Sequence, residues 1–597
     1  MTTNRLPCIS SGADGHFAAP SPLVEATVRS SQDVAVDDMD WAATACRGLR
    51  GEIDDYGGAM LKELNDLSWA STQAPAIQKT GDLSSLDFGA GVETDSEADD
   101  EVSFRRLSEP WEIPVELGLP DGSKGGFYKL MRRTRDLRAE TVQALLSDRP
   151  SDERVRLLAN ARFQAQQLRA ALASLEAIPR PAGWIETDCN DVHQLLLDST
   201  GVVRVRLEYE KNEMSRDICY LESGEDALLS LLRQQHHARA SCGGPWVEPQ
   251  MPCWEDSVAC AVAAMSAASA CDRGGNGRRL RNFITDRDGT INNYCDRYAS
   301  SVQSAYNAVW LGDFARRCSE NTVILTAAPL GGRPGVEGLV ELCTMPGGLA
   351  MYAGSKGREY FDHSLNQVRQ LEPLSTNAQR LFETLHRRLQ ALCSQAANLK
   401  FLTIGSGLQW KFGEVTIARN DVGGTVPEVE SQRFLAEVLE VVHDVDNDGA
   451  MLAVHDTGTD VEIFQRDASG RPSFDKGDGV LALDQRLGLG VAAGPNLVCG
   501  DTPSDVPMVE AALRLMACGS RMPEDTTLTA AKLAVLFVVT PDQHAKTPWL
   551  AAKVRELCAG NGAHCAILPS PDVLVAALYH YTNEVTSSAE PAAAIPR

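Results

Sequence analysis

Residues 1 to about 115 carry no sustained apolar period, and the segment 81-GDLSSLDFGAGVETDSEADDEVSF-104 is dominated by Gly, Ser and acidic residues. Such a composition buries too little apolar surface to offset the entropy of ordering, so a largely disordered acidic tail is expected over 1–115. Within it, 40-DWAATACRGLRGEIDDYGGAMLKELNDLSW-69 offers at most one amphipathic helix interrupted by glycines. From about 120 to 240 the pattern becomes helical. In 151-SDERVRLLANARFQAQQLRAALASLEAIPRP-181, Leu158, Ala161, Ala165, Leu168, Leu172 and Leu175 step by three and four along one face. Ser151 is placed to cap the helix, and Pro179 and Pro181 to stop it. A second helix near 127–149 is expected to lie antiparallel to it, giving a helical region over 116–275.

Beyond about 280 the texture changes again. Short apolar runs, 322-TVILTAAP-329, 496-NLVCGDTPSD-505 and 533-LAVLFVVT-540, end in polar turns and precede helical patterns. This alternation predicts an α/β fold with a doubly wound parallel sheet, in which ligands bind beyond the carboxyl ends of the strands. Between 370 and 470 the rhythm differs: a helix over 375–396, strands near 400–419, a helix over 427–445 and strands over 450–466. An inserted α/β layer therefore divides the sheet into 276–369 and 471–585.

The chain has 597 residues, too many for one hydrophobic core, and a formal net charge of -25. An acidic balance of this size argues against a nucleic-acid surface or an anionic membrane as partner, yet leaves room for a small anionic substrate held by a few local cations. Sixteen cysteines are scattered without C-x-x-C spacing, as expected of reduced thiols in a cytoplasmic protein. The first residues lack the apolar core of a secretory signal, and the run 531-AKLAVLFVVT-540 is far short of a membrane span. Arg105 and Pro110 around Ser108 form a pattern read by basic-directed kinases, although such matches are common in solvated tails.

The chemistry-bearing residues cluster at the predicted strand ends. In 282-NFITDRDGTINNY-294, Asp286 and Asp288 point to one side of an extended segment, Gly289 allows a tight departure, and Thr290 offers a hydroxyl and an amide to phosphate oxygens. Thr326 ends the strand 323-VILT-326. Lys476, in 474-FDKGDGV-480, follows a turn and precedes a helix, and Asp501 and Asp505 follow a third strand. Each alone has a bland explanation: an acidic turn, a strand-ending threonine, a helix-terminal lysine. In this order they resemble the four-part signature of the haloacid dehalogenase superfamily of phosphotransferases.

That resemblance implies Asp286 as nucleophile and Asp288 as general acid/base, with Thr326 and Lys476 holding the phosphoryl group. It implies Mg²⁺ as cofactor, bound by Asp286, the backbone carbonyl of Asp288 and Asp501, with Asp505 in support; Thr290 would meet substrate oxygens. The segments 354-GSKGREY-360, 404-IGSGLQWKFGEVTIARND-421, 456-DTGTDVEI-463 and 498-VCGDTPSDVPM-508 narrow it, being similar to the nematode-type trehalose-6-phosphate phosphatases over roughly 280–580. The insertion then reads as a cap, from which residues matching Gln409, Lys411 and Glu462 reach the sugar hydroxyls; as bare sequence they are equally a solvent-facing polar set. The expected activity is hydrolysis of trehalose 6-phosphate in trehalose biosynthesis. Another sugar phosphate as substrate, or a non-catalytic sugar-phosphate sensor or scaffold, remain the alternatives. No glycosyltransferase pattern is recognised upstream, so the synthase step is expected of another protein, and the helical region is expected to serve docking, to a protein partner or a second copy. The sequence departs from the family in Asn282, in Trp410 where a Phe is expected, and in the acidic tail.

Overall fold

The computed structural model describes residues 124–589 apart from 148–150, 178–192, 199–200, 242–251, 272–278, 332–337, 372, 422–423, 468–471 and 520–530. The acidic tail and Ser108 lie outside the described residues. Two helices open the described chain, α1 (Lys124–Leu146) and α2 (Ser151–Glu176). A hairpin of β1 (His193–Asp198) and β2 (Gly201–Arg206) follows, then α3 (Glu208–Ser223), α4 (Glu225–Ser241) and α5 (Trp254–Ala270). The hairpin is inserted into the helical region expected here; its second strand ends in an alternating Val-Arg-Val-Arg, a period of two. The α2 stripe does pack: Ala161, Ala165 and Leu168 are buried against Ile218 and Leu221 of α3. Its covering is thus supplied within the same chain.

The central sheet has eight strands, in the order β14-β13-β12-β3-β4-β5-β6-β7. They are β3 (Leu280–Thr285), β4 (Ser319–Leu325), β5 (Met351–Gly354), β6 (Glu359–Asp362), β7 (Gln367–Gln370), β12 (Asn496–Gly500), β13 (Leu533–Val538) and β14 (His564–Leu568). The six strands from β14 to β5 pair in parallel, and β6 and β7 add an antiparallel edge. Every residue of β12 and β13 is buried, and apart from Asn496 they carry the apolar run that a strand covered on both faces requires. One face is covered by α5, α6 (Ala305–Cys318) and a C-terminal helix at Pro571–Ala589, through Met265, Trp310, Phe314 and Leu574. The other carries helices at Lys476–Leu487, Val506–Gly519 and Leu550–Asn561, through Leu483, Val509 and Val554. Among the described residues no helix is long and apolar enough to cross a membrane.

Asn282, the polar residue inside β3, is paired in register with Asn496 of β12 and Asn321 of β4. The three side-chain amides meet across neighbouring strands at 2.8 and 3.0 Å, so the departure at Asn282 leaves no buried amide without a partner.

The cap lies between β7 and the Lys476 helix. Its sheet, in the order β10-β11-β9-β8, comprises β8 (Leu408–Lys411), β9 (Glu414–Ala418), β10 (Leu452–Asp456) and β11 (Asp460–Gln465). One face, with Val415, Ile417, Val461 and Ile463, packs on helices Thr376–Cys393 and Glu428–Val445 through Phe382, Leu389, Phe434 and Val438. Because directly opposed residues share a face, the register that aligns His455, Glu462, Thr416 and Gln409 in one row, and Glu414 with Lys411 in the next, makes the other face polar.

Candidate active site

The chain reverses direction of travel across the sheet between β3 and β12: β4 and β5 extend it one way, β13 and β14 the other. That switch point is where an open α/β sheet leaves a crevice beyond its carboxyl ends. Asp286 leaves the end of β3 and Asp501 the end of β12, its neighbour. Gly289 makes the exit from β3 possible, with φ +86°; a Cβ there would stand 2.2 Å from Asp501 Oδ2 and 2.4 Å from the Tyr294 ring. Lys476 begins a helix capped by Asp475, which accepts the backbone N–H groups of Gly477 and Asp478.

Five of the expected residues converge. Lys476 Nζ donates to Asp286 Oδ1 at 2.6 Å and also, at still shorter range, to Asp505 Oδ1. Thr290 Oγ1 donates to Asp501 Oδ1 at 2.9 Å and lies 3.3 Å from Asp286 Oδ2. The other oxygen of Asp505 accepts from the Asp501 and Thr502 backbone amides and the Thr502 hydroxyl. Asp505 is thereby saturated by donors and positioned to support the cluster. Asp286, Asp501 and Asp505 are all buried, with carboxylate oxygens within 4.8 Å of one another. Burial raises the Asp286 pKa to about 7, Lys476 opposing and Asp505 reinforcing the shift. Asp501 is pushed well up by burial and then by Asp505 and Asp286. One ammonium cannot balance three buried carboxylates, and a divalent cation fits this donor set.

Asp288 is placed differently. Its carboxylate turns to Arg287 (2.5 Å) and the Ser301 hydroxyl (3.1 Å), beside rather than within the three-carboxylate cluster, with its side chain 20% exposed. Thr326 lies just past the end of β4, its N–H donating to Ala353 and its carbonyl accepting from Lys356 N–H. Gln409, Lys411 and Glu462 all lie on the polar face of the cap sheet. Lys411 pairs with Glu414 at 2.8 Å, and Glu462 lies 3.2 Å from His455 Nδ1.

Other residues complete the picture without having been singled out in the sequence. Tyr294 and Gln543 donate to Asp501 Oδ2 at 2.7 and 2.6 Å. Lys356, reaching from the core, meets the cap at Glu414 (2.5 Å), and Lys356, Arg358, Lys411 and Glu414 line a cleft at the junction. Burial alone would raise Glu414, but Lys411 and Lys356 outweigh it and hold its pKa at about 2. A depressed carboxylate contributes stability above its ordinary pKa and loses it as pH falls through the lowered one. The stability gap between wild type and Glu414→Gln is therefore expected to be constant above about pH 4.5 and to close toward pH 2; urea titrations across that range would measure it.

A carboxylate leaving the central strand, a threonine past its neighbour, a lysine opening a helix and a carboxylate pair past the switch-point strand define a haloacid dehalogenase-type core with an inserted α/β cap. Residues 283–574, which hold the cap and most of the core, match the family model "Trehalose-6-phosphate phosphatase, C-terminal". A Brugia malayi trehalose-phosphatase is 31% identical over 304 residues, 51% of this chain and 56% of its own. A Caenorhabditis briggsae trehalose-phosphatase is 30% identical over 308 residues, 51% and 65% respectively. The likeness to a Caenorhabditis elegans alpha,alpha-trehalose-phosphate synthase [UDP-forming] 2, 28% identical, runs over 462 residues, 77% of this chain. That span exceeds the family match, so it continues into the flanking chain. The chain spans about a third (34%) of the length of that synthase.

Proposed function

We propose that the protein is a metal-dependent phosphatase that hydrolyses trehalose 6-phosphate to trehalose and phosphate. The observation that carries this reading is the buried Asp286, held by Lys476 at the sheet switch point within a cluster of three carboxylates. The family match and the named nematode trehalose-phosphatases support the substrate. In this mechanism an Asp286 carboxylate oxygen attacks phosphorus, forming an aspartyl phosphate as the bond to the sugar oxygen breaks. Asp288 gives its proton to that departing oxygen and then, as carboxylate, takes one from the water that hydrolyses the acyl phosphate. Thr326 and Lys476 hold the phosphoryl oxygens, and Lys476 also offsets the negative charge of Asp286. Mg²⁺, held by Asp286, Asp501 and the Asp288 carbonyl with Asp505 behind them, would supply charge neutralisation for the phosphoryl group. On the cap, Gln409, Lys411 and Glu462 would read the sugar hydroxyls, and the polar face they share with Thr416 and Glu414 supports that role.

The test is phosphate release from a panel of sugar phosphates. Turnover of trehalose 6-phosphate with Mg²⁺, and its loss in EDTA, is the expected result. In the same samples Mg²⁺ should raise the thermal midpoint, since a ligand at a hundred times its Kd stabilises by about 2.7 kcal/mol. Turnover confined to a different sugar phosphate would retain the chemistry and remove the reading of the cap. A folded protein that bound the cation and turned over nothing would be a sensor.

A further inference from the structure

The helix α3 carries a run of buried polar residues, Tyr209, Glu210, Glu213, Arg216 and Asp217. Tyr209, Glu210, Arg216 and Asp217 reach the phosphatase core, and most of their partners there fall in one stretch, residues 292–306, which follows the Asp286–Thr290 segment. Glu210 Oε1 accepts from Arg297 (2.8 Å) and Ser300 (2.7 Å). Asp217 accepts the Tyr306 N–H at 3.1 Å in the first turn of α6, which has no side-chain cap of its own. Arg216 makes a two-pronged pair with Asp572 at 3.0 and 2.9 Å, and Asp572 also holds Asn293 at 2.8 Å.

Tyr209 reaches closest to the chemistry. Its hydroxyl donates to Val302 O at 3.0 Å and lies 3.0 and 3.1 Å from the Asn292 amide. Asn292 Nδ2 in turn lies 3.1 Å from the Ser301 hydroxyl, which donates to Asp288 Oδ1 at 3.1 Å. The same loop bears the cap: Gly405 N–H donates to Asp296 O at 2.7 Å and Gly405 O accepts from Tyr298 N–H at 2.8 Å. A loop that touches both the acid/base candidate and the cap is thus fastened from behind by α3. Some of these groups also tie α3 to its neighbouring helices, Asp217 accepting from Arg138 of α1 at 2.7 Å and Arg216 donating to Gln235 of α4 at 2.9 Å, but Tyr209 and Glu210 face the loop, and burying them costs free energy unless they are paired.

We infer that Tyr209 is a positioning residue for Asp288, acting through Asn292 and Ser301, and that the helical segment before the core is therefore a working part of the active site. The inference rests on Asp288 serving as the general acid. In the first half-reaction, which kcat/KM reports, a mispositioned acid slows only substrates whose leaving group needs the proton. Sugar phosphates do; an aryl phosphate such as p-nitrophenyl phosphate, which departs as a stable phenolate, does not. The later water step, where Asp288 acts as base, is common to all substrates and lies outside kcat/KM.

The test compares the two substrates in the full chain carrying Tyr209→Phe, Ser301→Ala or Asp288→Asn. Tyr209→Phe is expected to lower kcat/KM for trehalose 6-phosphate about tenfold, and to leave kcat/KM for p-nitrophenyl phosphate within about twofold. Ser301→Ala should reproduce the pattern, and the double variant should be no worse than either single one, because both cut one chain of contacts. Asp288→Asn should show the same contrast, larger. Equal losses on both substrates, or none on either, from Tyr209→Phe and Ser301→Ala overturn the positioning role while Asp288→Asn keeps its contrast. Absence of contrast in Asp288→Asn itself overturns the acid assignment, and the inference falls with it.

Discussion

Asp286→Asn is expected to reduce phosphate release from trehalose 6-phosphate by at least about 10⁴-fold while the protein stays folded and still binds substrate. The amide is nearly isosteric, so Lys476 and Thr290 keep a neighbour at their distances of 2.6 and 3.3 Å. What is lost is the ionised oxygen that attacks phosphorus. The substitution also removes one charge from a cluster whose carboxylates raise one another's pKa. Folding stability should therefore hold or rise even as activity vanishes, the pattern of a group strained for function. Steady-state phosphate release beside a thermal melt would measure both. Residual turnover above a few per cent would show that another group attacks.

Lys476→Met should fail in the opposite manner, losing stability and activity together. The ammonium is 3% exposed and joins Asp286 to Asp505. Methionine fills much of its volume but leaves carboxylates facing one another without a counter-charge. Removing one partner of a buried ion pair costs about 3–5 kcal/mol, and losing a charged donor from the transferring phosphoryl group costs about 10²–10³-fold in kcat. Both effects should shrink, without disappearing, when Mg²⁺ is raised, because the cation shares the neutralising role. Urea unfolding with and without Mg²⁺, beside kcat, would check this. A Lys476→Met protein as stable as wild type would mean that Asp286 and Asp505 are protonated in the resting protein.

The doubly wound sheet was legible because β13 is an unbroken apolar run and β12 is apolar from Leu497 to Cys499, each followed by turn residues. The cap elements were legible from the same alternation, their observed ends shifted by a few residues. The β1–β2 hairpin was not, because Leu195–Leu197 reads as helix or strand with equal ease, and β7, whose sequence is Gln-Val-Arg-Gln, has almost no apolar signal. In the site, Asp286 and Lys476 are 190 residues apart, and only the family resemblance, never spacing, connected them. Gln543 follows no motif and reaches Asp501 from the short helix Pro541–Lys546 after β13. Tyr209 was hidden for a related reason: a tyrosine on a helix looks like packing, and only the fold shows that its hydroxyl faces the loop beside Asp288.

The asparagine row across β12, β3 and β4 has a consequence for how the central sheet finds its alignment. Apolar strands buried on both faces are poor at specifying register, since a shifted Val or Leu still lands among Val and Leu. Asn496, Asn282 and Asn321 satisfy one another in a single alignment. Sliding β12 or β4 against β3 would strand amides in a dry interior at about 1–3 kcal/mol each. These three buried amides thus act as an alignment key, and Asp286, four residues beyond Asn282, meets Asp501, five beyond Asn496, only when that key is engaged.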